Sequence, residues 1–169
     1  PWCYLGRDST RLMRSLGVEV DARAYELHPE IPPGGVTHRA GGRFDGVLDI
    51  IEAECEQADP PLLFRRPGRI PNTRRALETA EIVRAHQAHA FAAVDDALFE
   101  AQWVDGLDLE DPEVLTSIVA GAGGDPEVVD AGVTSGEGGR RLEASMAVAR
   151  ELGVTATPAW LVGGALLIP

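Results

Sequence analysis

The sequence contains no lysine: across 169 residues, all fifteen basic side chains are arginine, set against 27 acidic ones for a formal charge of −12. Fifteen separate sites do not all need a guanidinium fork, so the missing lysine is read as a coding bias and not as a binding signature. The charge itself is more informative. It excludes a nucleic-acid footprint, which needs a clustered basic face, and adhesion to anionic lipid. Long apolar runs are missing too. The stretch from Ala159 to Ile168 is about half a membrane span and is broken by Gly163-Gly164, which excludes a membrane-spanning helix there. Cysteine is scarce: Cys3 and Cys55 cannot build a disulfide framework. Aromatics make up only 5% of the chain, so aliphatic residues and alanine must fill the core. No internal repeat, low-complexity tract or secretory signal stands out. With 44% hydrophobic residues, this is ordinary globular material, one domain or one domain carrying a large insertion.

Periodicity orders the chain. Leu5, Leu12, Met13 and Leu16 fall at helical spacing, and Gly17 is placed to stop that helix. From Val18 the period becomes two: Val18, Val20, Ala22 and Ala24 alternate with polar residues, which predicts a half-buried strand ending at His28-Pro29. Phe44, Val47, Leu48, Ile51 and Cys55 form one stripe of an amphipathic helix. Asn72 or Thr73 is placed to cap a helix reaching about His89, with another marked by Val94, Ala97, Leu98 and Ala101. Asp111-Pro112 and Asp125-Pro126 each pair a cap with proline at the first helical position. Leu142, Met146 and Ala149 continue the helical period until Gly153. Two apolar runs, 159–162 and 165–168, flank Gly163-Gly164, a loop suited to a primed hairpin turn. Strands at both ends with helices between predict one β-containing domain interrupted by a helical insert. The chain opens on Pro1 at a helix start, so the strand feeding that helix is expected upstream, and a further segment is expected after the hairpin.

Two short motifs could carry chemistry. Pro1-Trp2-Cys3-Tyr4 lies at the N-terminal edge of the first helix, where a thiol faces unpaired backbone N–H groups and the positive end of the helix dipole. Cys3 is either an exchange thiol or a buried small hydrophobe. A cysteine before Pro1 would decide it, because Cys-Pro-Trp-Cys on a helix start exchanges disulfides. The second motif is Thr155-Ala156-Thr157-Pro158, directly before the closing hairpin. Pro158 marks either a tight turn with a cis bond or an ordinary proline at a strand start.

Together these residues carry a family resemblance. Pro1-Trp2-Cys3-Tyr4-Leu5-Gly6, Tyr25-Glu26-Leu27-His28-Pro29-Glu30-Ile31-Pro32, Asn72-Thr73 with Ala76 and Ala80, Asp108-Leu109-Glu110-Asp111 with Leu115, and Gly153-Val154 through Thr157-Pro158 occur in the order found in the DsbA-like branch of the thioredoxin superfamily. The sequence resembles its FrnE-type oxidoreductases over essentially the whole chain. The resemblance implies an α/β thioredoxin-like fold interrupted by a large α-helical insertion: 1–29 as its first part, 30–150 as the helical insert, and 151–169 as its second part. It implies that Cys3 is the resolving thiol and that the attacking cysteine stands just before Pro1. Pro158 maps to a cis-proline facing the thiol, and Thr157 to the residue whose backbone pairs with substrate. Pro1 and Trp2 line the same site.

The implied activity is thiol–disulfide exchange on a protein or small-molecule partner, in the cytoplasm, with no nucleic acid, membrane or cofactor involved. A low-molecular-weight thiol such as glutathione or mycothiol is the one co-substrate to consider. The competing readings are a glutathione-dependent enzyme like the kappa-class transferases and 2-hydroxychromene-2-carboxylate isomerases, and a chaperone-like binding module. Cys55 completes an apolar stripe and is expected in the core. His86 and His89 lie one turn apart without a third ligand, so a solvated helix end is expected rather than a metal. Asp95-Asp96 is expected on a solvated face. The five arginines between Arg65 and Arg75 either hold the carboxylates of a glutathione-like thiol or balance the acidic stretch from Ala85 to Gly139. Leu62, Leu63 and Phe64 are expected to anchor the preceding loop to the core.

Overall fold

Proline and aspartate set the helix starts in the second half of the chain. Asp111 accepts a hydrogen bond from the Glu113 N–H, and Asp125 accepts one from the Glu127 N–H, with proline at the first helical position each time. The computed structural model describes residues 2–37, 41–42 and 45–168. In chain order these form α1 (Trp2–Ser15), β1 (Val36–Thr37), α2 (Asp45–Gln57), β2 (Arg69–Ile70), α3 (Arg74–His86) and α4 (Ala88–Glu100). A π-helical turn, Ala101–Asp105, leads on to α5 (Pro112–Gly121), α6 (Pro126–Thr134), α7 (Glu137–Glu151), β3 (Trp160–Val162) and β4 (Ala165–Leu167). Among the described residues no helix is long and apolar enough to cross a membrane.

Two apolar cores organise these elements. The larger unites α3, α4, α5 and α6 around Ile82, Val83, Val94, Leu115 and Val119, all at most 3% exposed. Helix α7 packs against α3 and α6, with Leu142 fully buried. The smaller core joins α1 to α2 through Tyr4, Ile51 and Cys55, with Leu62, Phe64, Phe99 and Trp103 packed on it. Leu62 and Phe64 anchor their loop as expected, whereas Leu63 points outward and lends only its carbonyl, which accepts from the Tyr4 hydroxyl. The closing hairpin is also as expected. Trp160 pairs with Leu167 and Val162 with Ala165, and Gly163 and Gly164 take φ of +56° and +85°. Positive φ at both positions is what a type I′ turn requires.

Two expectations need correction. The helix opened at Asn72-Thr73 does not reach His89. It breaks at Gln87, whose side chain bonds both the N–H and the carbonyl of Asp125, so a buried glutamine trades helix continuation for a tie to the start of α6. The strand expected from Val18 is not a strand among the described residues, although its burial alternates as the pattern requires, half-buried at 20, 22 and 24 and exposed at 19, 21 and 23. Side chains from α3 and α7 bond its backbone. Ala24 donates its N–H to Glu81 and accepts at its carbonyl from Ser145, and the Glu26 N–H donates to the Met146 sulfur. Glu81 itself is 1% exposed and paired to Arg84. Phe44, expected to begin the α2 stripe, lies outside the described residues.

Candidate functional site

Cys3 lies in the first turn of α1 and Thr157 in the segment that leads into β3, yet the two side chains meet. The Cys3 thiol donates to the Thr157 hydroxyl oxygen at 3.1 Å, across 154 residues of sequence. The Thr157–Pro158 peptide bond is cis. Helix α1 approaches this turn through Gly6: a Cβ at that position would come within 2.9 Å of the Pro158 ring carbons, with the Trp160 ring 3.7 Å away. Glycine is unfavourable inside a helix by about 1 kcal/mol relative to alanine, so its use here marks a close approach. Cys3, Thr157 and Pro158 are half-buried, and Trp2 beside them is 42% exposed. Four of the five site residues named from the sequence therefore gather at one place. The fifth, Pro1, lies outside the described residues.

Behind the thiol, α1 is held on its inner side by polar groups. Tyr4 is 1% exposed, and its ring lies 4.6 Å from the Arg7 guanidinium and 6.3 Å from the Phe64 ring. Phe64 in turn stacks on Trp103 at 5.8 Å. Burial raises the Tyr4 hydroxyl above its ordinary range, keeping it a neutral hydrogen-bond donor. Arg11 binds Asp96 at 2.8 Å and Glu100 at 2.9 Å. Asp95-Asp96 is thus not a solvated face. Asp96 is drawn into the α1–α4 interface, and burial pushes the Asp95 carboxyl up to about 6, against the pull of Arg14 and Arg7.

Cys55 behaves as the core residue expected. It is 1% exposed, and burial, followed by the negative charges of Glu52 and Glu54, raises its thiol. That suits packing, not nucleophilic attack. The arginine-rich segment is largely occupied internally. Arg66 pairs with Asp49 and Glu52, Arg69 with Asp108 and Glu110, and Arg74 with Glu26, Glu78 and Glu143, while Arg65 donates to the Asp105 carbonyl. Of these, only Arg69 pairs with carboxylates of the acidic stretch from Ala85 to Gly139; Arg66 and Arg74 pair with carboxylates outside it, so the balancing is spread over the chain. His86 contacts Glu137 at 2.8 Å, and no group of three metal-binding side chains occurs among the described residues.

Sequence reasoning missed Gly6 and Arg7 as parts of this site. A glycine in the first turns of a helix and arginines at 7, 11 and 14, spaced along one helical face, were the available signals.

Comparison with known proteins places this geometry in context. The family model for the DSBA-like thioredoxin domain matches residues 1–169. Among solved structures, a 2-hydroxychromene-2-carboxylate isomerase is similar with a TM-score of 0.73 and 18% identity, over 97% of this chain and 81% of that one. A probable DsbA oxidoreductase from Streptomyces coelicolor is similar with a TM-score of 0.73 and 24% identity, over 95% of this chain and 75% of that one. No curated protein matches the chain.

Proposed function

The chain belongs to the DSBA-like thioredoxin domain family, with an α/β fold interrupted by a helical insertion, and on that premise we propose that it is a thiol–disulfide oxidoreductase of the FrnE type in which Cys3 resolves the mixed disulfide. The observation that carries this reading is the 3.1 Å contact between the Cys3 thiol and Thr157 beside the Thr157–Pro158 turn. It puts a half-buried thiol at a helix start within reach of a turn that can align a second chain.

The reading assigns the attack to a second cysteine immediately before Pro1. Its thiolate displaces one sulfur of a substrate disulfide, forming a mixed disulfide, and the displaced thiolate takes up a proton. Cys3, after losing its own proton to solvent, attacks the attacking cysteine's sulfur. The mixed disulfide breaks, the second substrate thiol leaves, and the protein retains an internal disulfide. Two electrons pass from the protein dithiol to the substrate, and the reverse sequence oxidises a dithiol partner. Trp2 supplies an apolar rim for that partner. A glutathione-dependent reading finds less support, because Arg66, Arg69 and Arg74 already bind carboxylates of the protein itself.

The test is Cys3→Ala in the full-length protein, presented with a disulfide substrate. The expected product is a long-lived mixed disulfide, visible by intact mass and released by reductant. Turnover of a dithiol substrate at the wild-type rate would remove Cys3 from the reaction.

A further inference from the structure

We propose that Arg7 is the positioning residue of the thiol site, its buried guanidinium holding α1 on α4 so that Gly6 seats against Pro158 and Cys3 meets Thr157. The inference takes its chemical meaning from the thiol–disulfide reading above and its argument from the geometry of α1. That helix buries Tyr4, Arg7 and Thr10; of its two leucines, Leu5 packs half-buried on the smaller core and Leu12 stays exposed. Arg7 is 4% exposed. Its Nη1 donates to the Asp96 main-chain carbonyl at 3.2 Å and to Glu100 Oε1 at 3.3 Å. One turn on, Arg11 repeats the tie to Asp96 and Glu100.

An aliphatic side chain could fill the same space without desolvating a charge, and the Arg7 Nε has no hydrogen-bond partner among the described residues. Burying such a group works against stability. What a guanidinium adds is direction. Its Nη1, aimed at a main-chain carbonyl and a carboxylate of α4, ties the rotation and axial register of α1 to that helix. Cys3 lies one turn before Arg7 on that helix, and Gly6 immediately before it. The opposing contact has no slack, since a Cβ on Gly6 would already meet Pro158 at 2.9 Å. Helix α1 is therefore clamped between a glycine–proline contact and a buried charge, and the Cys3–Thr157 bond is the product of that clamp.

The experiment compares Arg7→Met and Arg7→Lys with wild type in the full-length protein under reductant, reading the alkylation rate of Cys3 by iodoacetamide with Cys55 as internal reference. Releasing α1 frees the thiol from Thr157. Arg7→Met is expected to speed Cys3 alkylation by up to about tenfold, the factor that the net worth of one hydrogen bond corresponds to, while Cys55 stays protected, and Arg7→Lys is expected to restore part of the wild-type rate. In a Thr157→Val background, where the bond is already absent, Arg7→Met should lose most of its effect. An unchanged Cys3 rate in folded Arg7→Met, or full additivity with Thr157→Val, overturns the proposal. Should Arg7→Met fail to fold, Glu100→Gln loosens the same tie from a half-exposed partner. It is expected to shift the Cys3 rate in the same direction, and an unchanged rate there overturns the proposal equally. Alkylation needs no disulfide exchange, so a wild-type protein without exchange activity would sink the functional reading and leave this comparison intact.

Discussion

Around Ile82, Val83, Val94 and Val119, helices α3 to α6 bury aliphatic side chains almost completely, whereas α1 turns a tyrosine, an arginine and a threonine inward. The two regions solve different problems. Aliphatic packing is strong and non-directional, so it stabilises the helical bundle while tolerating small shifts between helices. A thiol that must meet a residue from the far end of the chain cannot tolerate such shifts. There the protein uses groups whose hydrogen bonds have direction, together with a glycine that lets two backbones approach. The bundle has buried polar ties of its own, at Glu81 and Gln87, but its core is aliphatic, whereas the buried side chains of α1 are not.

Breaking the bundle should give the largest change in stability and the smallest change at the thiol. Ile82→Ala opens a cavity in a fully buried position and is expected to lower the unfolding free energy by about 2–5 kcal/mol. Cys3 alkylation in the folded protein should stay at the wild-type rate. Denaturant unfolding followed alongside alkylation checks both, and a Cys3 rate that moves with stability would erase the contrast.

Gly6→Val should do the reverse. Its branched side chain must displace Pro158, Trp160 or the start of α1, since the first added carbon already lies 2.9 Å from the proline ring. Overpacking of this kind costs about 1–3 kcal/mol. The expected result is a modest loss of stability with a disproportionate change in thiol reactivity. Wild-type disulfide exchange in this variant would show that the close approach has no role in the site.

Asp95→Asn gives the smallest effect and the most specific one. Burial raises this carboxyl from 3.8 to about 6, so the folded protein binds its proton more tightly than the unfolded chain does. Its favourable contribution is complete below pH 3.8 and is lost as pH rises through about 6. Above that, the half-buried charge works against stability. The amide variant should therefore be more stable than wild type at pH 7.5, on the order of 1–2 kcal/mol. It should converge on wild type near pH 4. Thermal melts at both pH values check this, and equal melting temperatures at pH 7.5 would contradict it.

What could be read from the sequence was what is encoded locally. The Asp-Pro caps at 111–112 and 125–126, the stripe through Leu48, Ile51 and Cys55, and the Gly163-Gly164 turn each follow from residues within a few positions of one another. The meeting of Cys3 with Thr157 and Pro158 was visible only through family resemblance, because no local rule spans 154 residues. The features missed were those in which a side chain distant in sequence binds the backbone. Glu81, Ser145 and Met146 hold the segment around Ala24, and Gln87 ends a helix by binding Asp125. Asp95 escaped for a different reason: a charged pair looks solvated until the packing that desolvates one member is known.

The most direct test of the central claim is a thiol count on the full-length protein, by alkylation and intact mass with and without reductant. The account predicts that Cys3 is masked until reductant is added, and that a second thiol, from a cysteine immediately before Pro1, appears with it while Cys55 stays protected in the folded protein. Free alkylation of Cys3 without reductant, with no further thiol released by it, would contradict dithiol exchange.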